Sequence, residues 1–400
     1  MSALLTLEDA QAQLLSLAKR DQFRLTKTDQ IIDRRYLAQD LVAQRTQPTA
    51  DLSAMDGYAI SGDGPWQMVG ESRAGEPFTG AISEGECTRI STGAHMPSGS
   101  DRVLIQENAA AQGTLIHLAE GESIPEPGRH VRKRGFDFEV GDTLLGSGTL
   151  MGPAQIALAR SAGYGEVALW GPPTVGILES GDELCADPSQ CSEGQIPASN
   201  GEMLAAMLRP MVGDVHRMPP VADSLADLAK ALRELDDCRI VVTSGGASVG
   251  DHDLIQQALI EWGAELSFWK VAIKPGKPLM VATRRRTWGE QIILGLPGNP
   301  VSSFVTGFLF ALPLVRGLMG DRSPLPTTVE TQTSVPLPAI GKRREFLRGI
   351  FDGTSVRLAA SQDSSALRAL ADANCLIDRP AGSAEAVPGS KVNIYLLTNG

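Results

Sequence analysis

The sequence predicts a multidomain α/β plus β protein. A central three-layer α/β domain with a mostly parallel sheet lies between a helical N-terminal region, into which a β-rich domain is inserted, and a small all-β domain at the C-terminal end. Three observations carry this. At 400 residues the chain is too long for one hydrophobic core, so roughly two to four domains are expected. Between residues 175 and 317, apolar runs of strand length alternate with amphipathic runs of helix length, the pattern of a parallel sheet covered on both faces. On either side the texture changes to short apolar runs split by Gly, Pro and Ser clusters, which reads as strands and turns.

The elements follow in order. Residues 4–20 read as an amphipathic helix: Leu5, Leu7, Leu14, Leu15 and Leu17 are apolar, Glu8, Asp9 and Lys19 are not, and Thr6 with Asp9 forms an N-cap pair. A second helical stretch is expected over 36–44, ending before Pro48. Residues 50–150 carry runs such as Arg102-Val-Leu-Ile105 and Thr114-Leu-Ile-His117. Residues 151–163 return to helical periodicity through Ile156, Leu158 and Ala159. That helix is expected to pack against the first, which would make the β-rich stretch an insertion between them. Trp170-Gly-Pro-Pro173 reads as a linker. Strands are expected at 175–178, 239–242, 266–273 and 292–296, and helices at 202–208, 224–235, 254–262 and 301–317. The last is very apolar but contains Gly307, Pro313 and Arg316, so it reads as a buried core helix rather than a membrane span. Pro324 and Pro326 mark the next boundary, after which runs at 331–337, 346–351, 356–360 and 391–397 make the all-β domain.

A hydrophobic content of 42% fits a soluble globular protein, and a net charge of −11 argues against nucleic acid as a partner. Any anion must then be held by local cations. Cys87, Cys185, Cys191, Cys238 and Cys375 form no C-x-x-C pair, so reduced thiols in a cytoplasmic protein are expected, not a disulfide framework or a zinc site. The first 13 residues carry Glu8 and Asp9 and no basic run, unlike a signal peptide. The histidines are scattered, and no Ser-His-Asp or Cys-His pattern emerges.

The most informative stretch is Thr243-Ser-Gly-Gly-Ala-Ser-Val-Gly-Asp-His-Asp253, directly after the apolar run Ile240-Val241-Val242. Ligands bind at such strand ends in open α/β sheets. Gly245, Gly246 and Gly250 let backbone N–H groups approach a phosphate, and Asp251 and Asp253 add carboxylates suited to Mg²⁺ beside it. His252 lies in the same loop. Three further loops end strands of this domain. Glu179-Ser-Gly-Asp-Glu-Leu184 presents Asp182 and Glu183; Lys274-Pro-Gly-Lys-Pro278 presents two lysines that suit a phosphate or oxyanion; Leu296-Pro-Gly-Asn-Pro-Val301 is stiffened by Pro297 and Pro300. In the N-terminal half, Ser53-Ala-Met-Asp-Gly-Tyr-Ala59 places Asp56 in a turn. Ile90-Ser-Thr-Gly-Ala94 offers hydroxyls at Ser91 and Thr92, and Arg129-His-Val-Arg-Lys-Arg-Gly135 is a cationic run leading to Asp137. Arg343, Arg344 and Arg348 form a similar basic group near the C-terminal end.

Taken together these segments resemble the molybdopterin molybdenumtransferase family, the molybdenum-insertion enzymes similar to the gephyrin E domain. The matching pieces occur in the family's order: Ser53-Ala-Met-Asp-Gly-Tyr-Ala59, Ser91-Thr-Gly-Ala94, Arg134-Gly-Phe-Asp137, Ser180-Gly-Asp-Glu-Leu184, Ser244-Gly-Gly-Ala-Ser-Val-Gly250 with Asp253, Lys274-Pro-Gly-Lys-Pro278 and Leu296-Pro-Gly-Asn-Pro-Val301. The resemblance implies a discontinuous helical domain at 1–45 and 140–170, an inserted β domain at 46–139, a molybdopterin-binding α/β domain at 171–322 and a barrel-like β domain at 323–400. It also implies a homodimer whose active site lies between subunits, with Asp56 reaching across. The reaction would take adenylylated molybdopterin and molybdate and release AMP with the help of Mg²⁺. The upstream adenylyltransferase would be a partner; neither nucleic acid nor membrane would be. By the same resemblance Asp56, Glu183, Asp253, Lys274 and Lys277 are catalytic candidates, and Asp182, Glu183, Asp251 and Asp253 metal ligands. Substrate binding would fall to Thr92, Asp137, Ser180, Gly181, Ser199, Asn200, Ser244, Gly245, Gly246, Ser248, Gly250, Pro297, Gly298, Asn299, Pro300 and Arg348. The attacking thiolates would belong to the pterin, in keeping with the lack of a protein nucleophile.

Some positions depart from the family pattern. Glu179 stands where a small hydroxyl residue is common, Ala198 where Asp is common, and of the usual acidic segment at 219–223 only Asp223 remains. Two alternatives use the same fold. A molybdopterin adenylyltransferase resembles the α/β domain alone, would leave the flanking domains unused, and carries a Gly-Gly-Thr-Gly loop that this chain lacks. A non-catalytic scaffold would not need Asp56, Glu183, Asp253, Lys274 and Lys277 together.

Overall fold

The computed structural model describes residues 4–20, 23–31, 34–245 and 254–397, apart from the side chain of Phe268. The chain divides into two compact units, one made of Met1–Ala38, Gly148–Met151 and Ala168–Gly400, the other of Gln39–Ser147 and Gly152–Val167.

The first unit is built on a six-stranded sheet in the order 215–217, 175–179, 240–244, 289–296, 278–286, 265–270. The first three pairings are parallel and the last two antiparallel. The antiparallel edge contains Pro278–Arg286, a nine-residue strand that the loop reading of 274–278 leaves out. It pairs through a hairpin with Gly289–Leu296, for which a short turn is enough, whereas a parallel pairing needs a long crossover. The segment expected as one strand over 266–273 is divided into Glu265–Lys270 and Ile273–Lys274, because the second piece leaves this sheet for the C-terminal one.

Alternation along each strand feeds two cores. Ile240 and Val242 join the cluster under the helices Leu7–Ser16, Asn200–Val212 and Pro300–Leu318; Val241 points the other way, into the cluster under Leu225–Glu234 and Leu254–Glu261. These are the three layers. The helix Leu225–Glu234 starts where Ser224 Oγ accepts from Asp227 N–H, and buries Leu228, Ala231 and Leu232. Each such buried leucine contributes about 1.5–3 kcal/mol. Pro300–Leu318 is long and apolar enough to cross a membrane, but 94% of it is buried inside the protein, as expected of a core helix.

The first helix is Leu7–Ser16, capped by Thr6, whose Oγ1 accepts from Asp9 N–H at 3.0 Å. Its apolar side is spent on the α/β core. Leu7, Ala10 and Leu14 sit with Leu309 and Leu312, and Gln11 Nε2 donates to Leu309 O, whereas the helix Pro153–Ser161 belongs to the second unit. No helix forms over 36–44. Leu37 and Ala38 N–H donate to Thr149 and Ala168 carbonyls, and Leu41–Val42 pairs with Thr143–Leu145. Tyr36, Leu37, Leu41 and Ala43 are all buried, and so short an apolar run suits extended pairing as well as a helix.

The C-terminal strands close into a small barrel, since Arg344–Phe351 pairs with both Ser355–Leu358 and Cys375–Arg379. Strand Ile273–Lys274 adds beside Arg344, joining barrel to α/β domain. The second unit holds a six-stranded sheet in the order 102–105, 57–60, 86–90, 66–72, 115–118, 109–112.

Candidate active site

The parallel strands deliver three of the expected loops to one edge. Glu179, Ser244 and Leu296 are in register, so the loops beginning at Ser180, Gly245 and Pro297 open side by side at strand C-terminal ends. Gly245 N–H donates to Leu296 O at 3.0 Å. Its φ of +102° is one that side-chain-bearing residues rarely adopt, and an added Cβ there would stand 3.6 Å from the Ser180 carbonyl. A Cβ on Gly298 would in turn stand 3.7 Å from Gly245 Cα, so the three loops meet backbone to backbone.

Asn200 ties two of them together. It is the buried first residue of the helix Asn200–Val212, and its Nδ2 donates to Ser244 Oγ at 2.9 Å and Gly298 O at 2.7 Å. Its Oδ1 is buried with no partner, as are Asn299 Oδ1 and Ser303 Oγ on the neighbouring loop and helix. Unpartnered buried acceptors are costly, and a ligand rich in N–H and O–H groups would satisfy them. Ser199 precedes the helix, half-buried, without capping it. Pro300 opens the next helix at its first turn.

Glu179 sits beneath this group. It is 2% exposed, accepts hydrogen bonds from the Gly201 and Asn200 N–H groups, and keeps Oε2 without a partner. Burial pushes its carboxyl above the usual range, against the pull of those N–H groups and of Arg217. Asp182 and Glu183 are exposed on the loop above, beyond Gly181. Asp182 Oδ1 accepts from Asp223 N–H at 3.0 Å. Asp223, hydrogen-bonded to Ser180, is raised first by burial and then by the charges of Asp182 and Glu183. Three carboxylates crowd one loop edge, a donor chemistry that fits a hydrated Mg²⁺, which takes one or two carboxylates and leaves room for phosphate. Among the described residues no group of three or more His, Cys, Asp or Glu side chains is placed to hold a metal ion, so a cation at this edge would rest on one or two of these carboxylates and water. Gly246, Ser248, Gly250, Asp251, His252 and Asp253 lie outside the described residues.

The lysine loop is placed differently. Lys274 is exposed and its Nζ bonds both Glu345 oxygens, at 3.2 and 3.1 Å, across the junction to the barrel. Lys277 is exposed, and its carbonyl accepts from Val271 N–H. Gly276, at φ +96°, rests on the helix beginning at Pro300, where a Cβ would collide with the Thr306 methyl. Arg348 is 2% exposed; its guanidinium donates to the Ser361 and Asp363 carbonyls and so holds a barrel loop. That loop meets the site, since Val301 N–H donates to Ser364 O at 3.2 Å.

In the second unit the other motifs also gather. Asp56 Oδ1 accepts from both the N–H and the hydroxyl of Thr92, at 2.6 and 3.0 Å, which holds its carboxyl below the usual range. Ser53 exchanges backbone bonds with Gly93 and Ala94, and Ala54 N–H donates to His130 O. Asp51 accepts from Lys133 Nζ and Arg134 N–H, pinning the turn that presents the exposed Asp137.

Glu345 and Ser303 escaped sequence reading. Glu345 lies 71 residues from Lys274, and no local pattern links them. Ser303, one turn past Asn299, was legible only as a polar residue on an otherwise apolar helix. All five cysteines are free thiols, and burial pushes Cys87 and Cys375 up to about 12, so neither is a ready nucleophile.

Three family models match the chain in order: the MoeA N-terminal region (domain I and II) over residues 5–163, a probable molybdopterin binding domain over 176–317, and the MoeA C-terminal region (domain IV) over 330–397. The molybdopterin molybdenumtransferase of Haemophilus influenzae is 32% identical over 357 residues, 86% of each chain. The chain belongs to the molybdopterin molybdenumtransferase family. The member from Nostoc is also 32% identical, over 91% of this chain and 86% of its own. Among solved structures, the molybdopterin biosynthesis MoeA protein of Pyrococcus horikoshii superposes with a TM-score of 0.81 at 25% identity, covering 99% of this chain and all of that one. The family's flanking regions are matched on both sides of the α/β domain, which a stand-alone adenylyltransferase would not require.

Proposed function

We propose that this enzyme inserts molybdenum from molybdate into adenylylated molybdopterin and releases AMP, with Mg²⁺ as cofactor, acting as a homodimer with Asp56 supplied by the partner subunit. The observation that carries the reading is the meeting of the Ser180, Gly245 and Gly298 loops around Asn200, with buried acceptors left over at Asn200, Asn299 and Ser303. These polar atoms stand at the C-terminal ends of parallel strands, suit a pterin ring rich in N–H groups, and lie within the stretch matched by the molybdopterin-binding model.

Each group then has a task. Ser180, Gly181, Ser199, Asn200, Ser244, Gly245 and the 297–300 loop hold the pterin and its phosphates, and the same task is proposed for Gly246, Ser248 and Gly250. Lys274 and Lys277 offer positive charge to the molybdate dianion or the departing phosphate, and Glu345 keeps Lys274 in place. Arg348 shapes the loop beside Val301 rather than touching oxyanion directly. Asp182 and Glu183, with Asp251 and Asp253, would hold Mg²⁺, which neutralises charge developing on the phosphoanhydride. Asp56, kept ionised by Thr92, is poised to accept a proton or orient water, and Asp137 is exposed in the same unit.

The test is AMP release from adenylylated molybdopterin with molybdate or tungstate, each with and without Mg²⁺. Release that needs both oxyanion and metal is expected. Formation of adenylylated molybdopterin from ATP, or release indifferent to oxyanion, would overturn the reading.

A further inference from the structure

The segment between the strand Val175–Glu179 and the helix Asn200–Val212 carries two of the five cysteines, and they meet. Cys185 Sγ donates to the Asp187 carbonyl at 3.0 Å, and Cys191 Sγ donates to the same oxygen at 3.8 Å. The Cys191 thiol is also hydrogen-bonded to Cys185. That contact, ahead of burial, pushes Cys191 up to about 11, whereas Cys87, Cys238 and Cys375 are raised first by burial. Cys185 is buried and Cys191 is partly open to solvent.

The chain between the two is already bent. Asp187 Oδ1 accepts from the N–H and the hydroxyl of Ser189, at 2.9 and 2.7 Å, and so starts the single turn Pro188–Gln190. Gln190 N–H donates at 2.9 Å to the same Asp187 carbonyl that receives both thiols. With that turn in place, much of the entropy of closing so short a loop is already lost. The segment is also coupled to the candidate site at both ends. Glu183 O accepts from Ile196 N–H at 2.8 Å and Cys185 O from Ala198 N–H at 3.0 Å, in the parallel pairing of Leu184–Cys185 with Ile196–Pro197. Asp182 and Glu183 precede that pairing, and Ser199 and Asn200 follow it.

We propose that Cys185 and Cys191 form a reversible disulfide that slows the enzyme by displacing this pairing, and with it Glu183 and Asn200. The sulfurs of a disulfide stand about 2.05 Å apart, and rotation of the more exposed Cys191 side chain brings them together. The oxidant is a low-molecular-weight disulfide. Cys191, on giving up its proton, attacks one sulfur of that disulfide, forming a mixed disulfide and releasing one small thiol. Cys185 then attacks the Cys191 sulfur, the Cys185–Cys191 bond forms, and the second small thiol leaves with the Cys185 proton. The protein loses two electrons and two protons, and the small disulfide gains both. Because Cys191 is protonated at neutral pH, the first step is slow, so the pair answers a sustained rise in oxidant rather than a brief one. The bond itself does not depend on the reaction proposed above; its effect on turnover rests on that reading.

The test treats full-length enzyme with oxidised glutathione, reverses a portion with reduced glutathione, then alkylates both under denaturing conditions and maps the peptides by mass. The peptide carrying Cys185 and Cys191 is expected to take no alkyl group after oxidation and two after reduction. In Cys191→Ser no internal bond is expected, Cys185 being either alkylated or joined to glutathione; Cys185→Ser gives a second such variant. Molybdate-dependent AMP release should fall several-fold on oxidation, recover on reduction, and ignore the oxidant in Cys191→Ser. Full alkylation of both cysteines in oxidised wild type would overturn the bond. A bond formed with turnover unchanged would overturn its link to the site. The peptide map reads the bond without turnover, so a reduced enzyme that releases no AMP would count against the reaction and not against the disulfide.

Discussion

Thr92 donates twice to one oxygen of Asp56, from its backbone N–H at 2.6 Å and its hydroxyl at 3.0 Å, across 36 residues of sequence. Two turns that read separately as ordinary loops are therefore one device that fixes a carboxylate and keeps it charged. Replacing Asp56 with Asn retains shape and hydrogen-bonding oxygen but not charge. The fold should be preserved by circular dichroism, while AMP release falls about a hundredfold or more, the usual contribution of a proton-handling side chain. Unchanged turnover would remove Asp56 from the chemistry.

The same pair predicts a pH effect. With the backbone bond first and the hydroxyl bond second, Thr92 lowers the Asp56 pKa below 3.8, so the carboxylate stays ionised throughout the neutral range. Thr92→Val keeps only the backbone bond. The acid limb of the rate profile should then move to higher pH, with the neutral plateau reduced less than in Asp56→Asn. A limb that does not move would show that another group controls it.

Glu179 predicts a stability effect of opposite sign. Its folded-state pKa lies above the 4.5 of an unperturbed Glu, because burial opposes its charge. Its favourable contribution is complete below that range and is lost as pH rises through the raised value. Glu179→Gln is neutral at every pH and keeps an oxygen for the Asn200 and Gly201 N–H groups. Its unfolding midpoint should exceed that of wild type by about 1–3 °C at pH 8 and match it at pH 4. An equal shift at both pH values would mean that packing, not ionisation, is responsible.

Asn200→Ala removes the bonds to Ser244 Oγ and Gly298 O and so unties two loops. At about 1 kcal/mol for each buried bond, a loss of about 2–3 kcal/mol is expected in denaturant unfolding. Affinity for molybdopterin should fall at the same time. A stability loss with unaltered pterin binding would confine Asn200 to a structural role.

Lys274 and Glu345 form an exposed pair whose contribution to stability should be below about 1 kcal/mol. Lys274→Gln should therefore leave the unfolding midpoint nearly unchanged and raise the KM for molybdate several-fold, as expected when a positioned charge facing an anion is lost. A large drop in midpoint with normal KM would make the lysine a strut between barrel and α/β domain.

Much of this was written locally. The strands Val175–Glu179 and Ile240–Ser244 followed from runs of β-branched residues, and the helix starts from Thr6, Ser224 and Pro300, because capping and alternation depend on a few neighbours. The region 36–44 was misread as a helix because a short apolar run does not reveal its partner, and here the partners are strands about a hundred residues away. Pro278–Arg286 escaped for a similar reason: its leading Pro-Gly-Lys-Pro text reads as a loop, while its place beside Gly289–Leu296 is a matter of pairing.

By itself the sequence determined which residue types stand in the strand-end loops, since the glycines, lysines and carboxylates that the proposed function uses are carried by each loop within a few neighbouring residues. Only the tertiary structure decided which of them touch. It put Thr92 on Asp56, Asp223 on Asp182, Asn200 between Ser244 and Gly298, and Glu345 on Lys274, and it turned Arg348 inward onto its own barrel loop. Those contacts join segments far apart in the chain, and strand register and helix packing fix them, not the spacing of residues along the sequence.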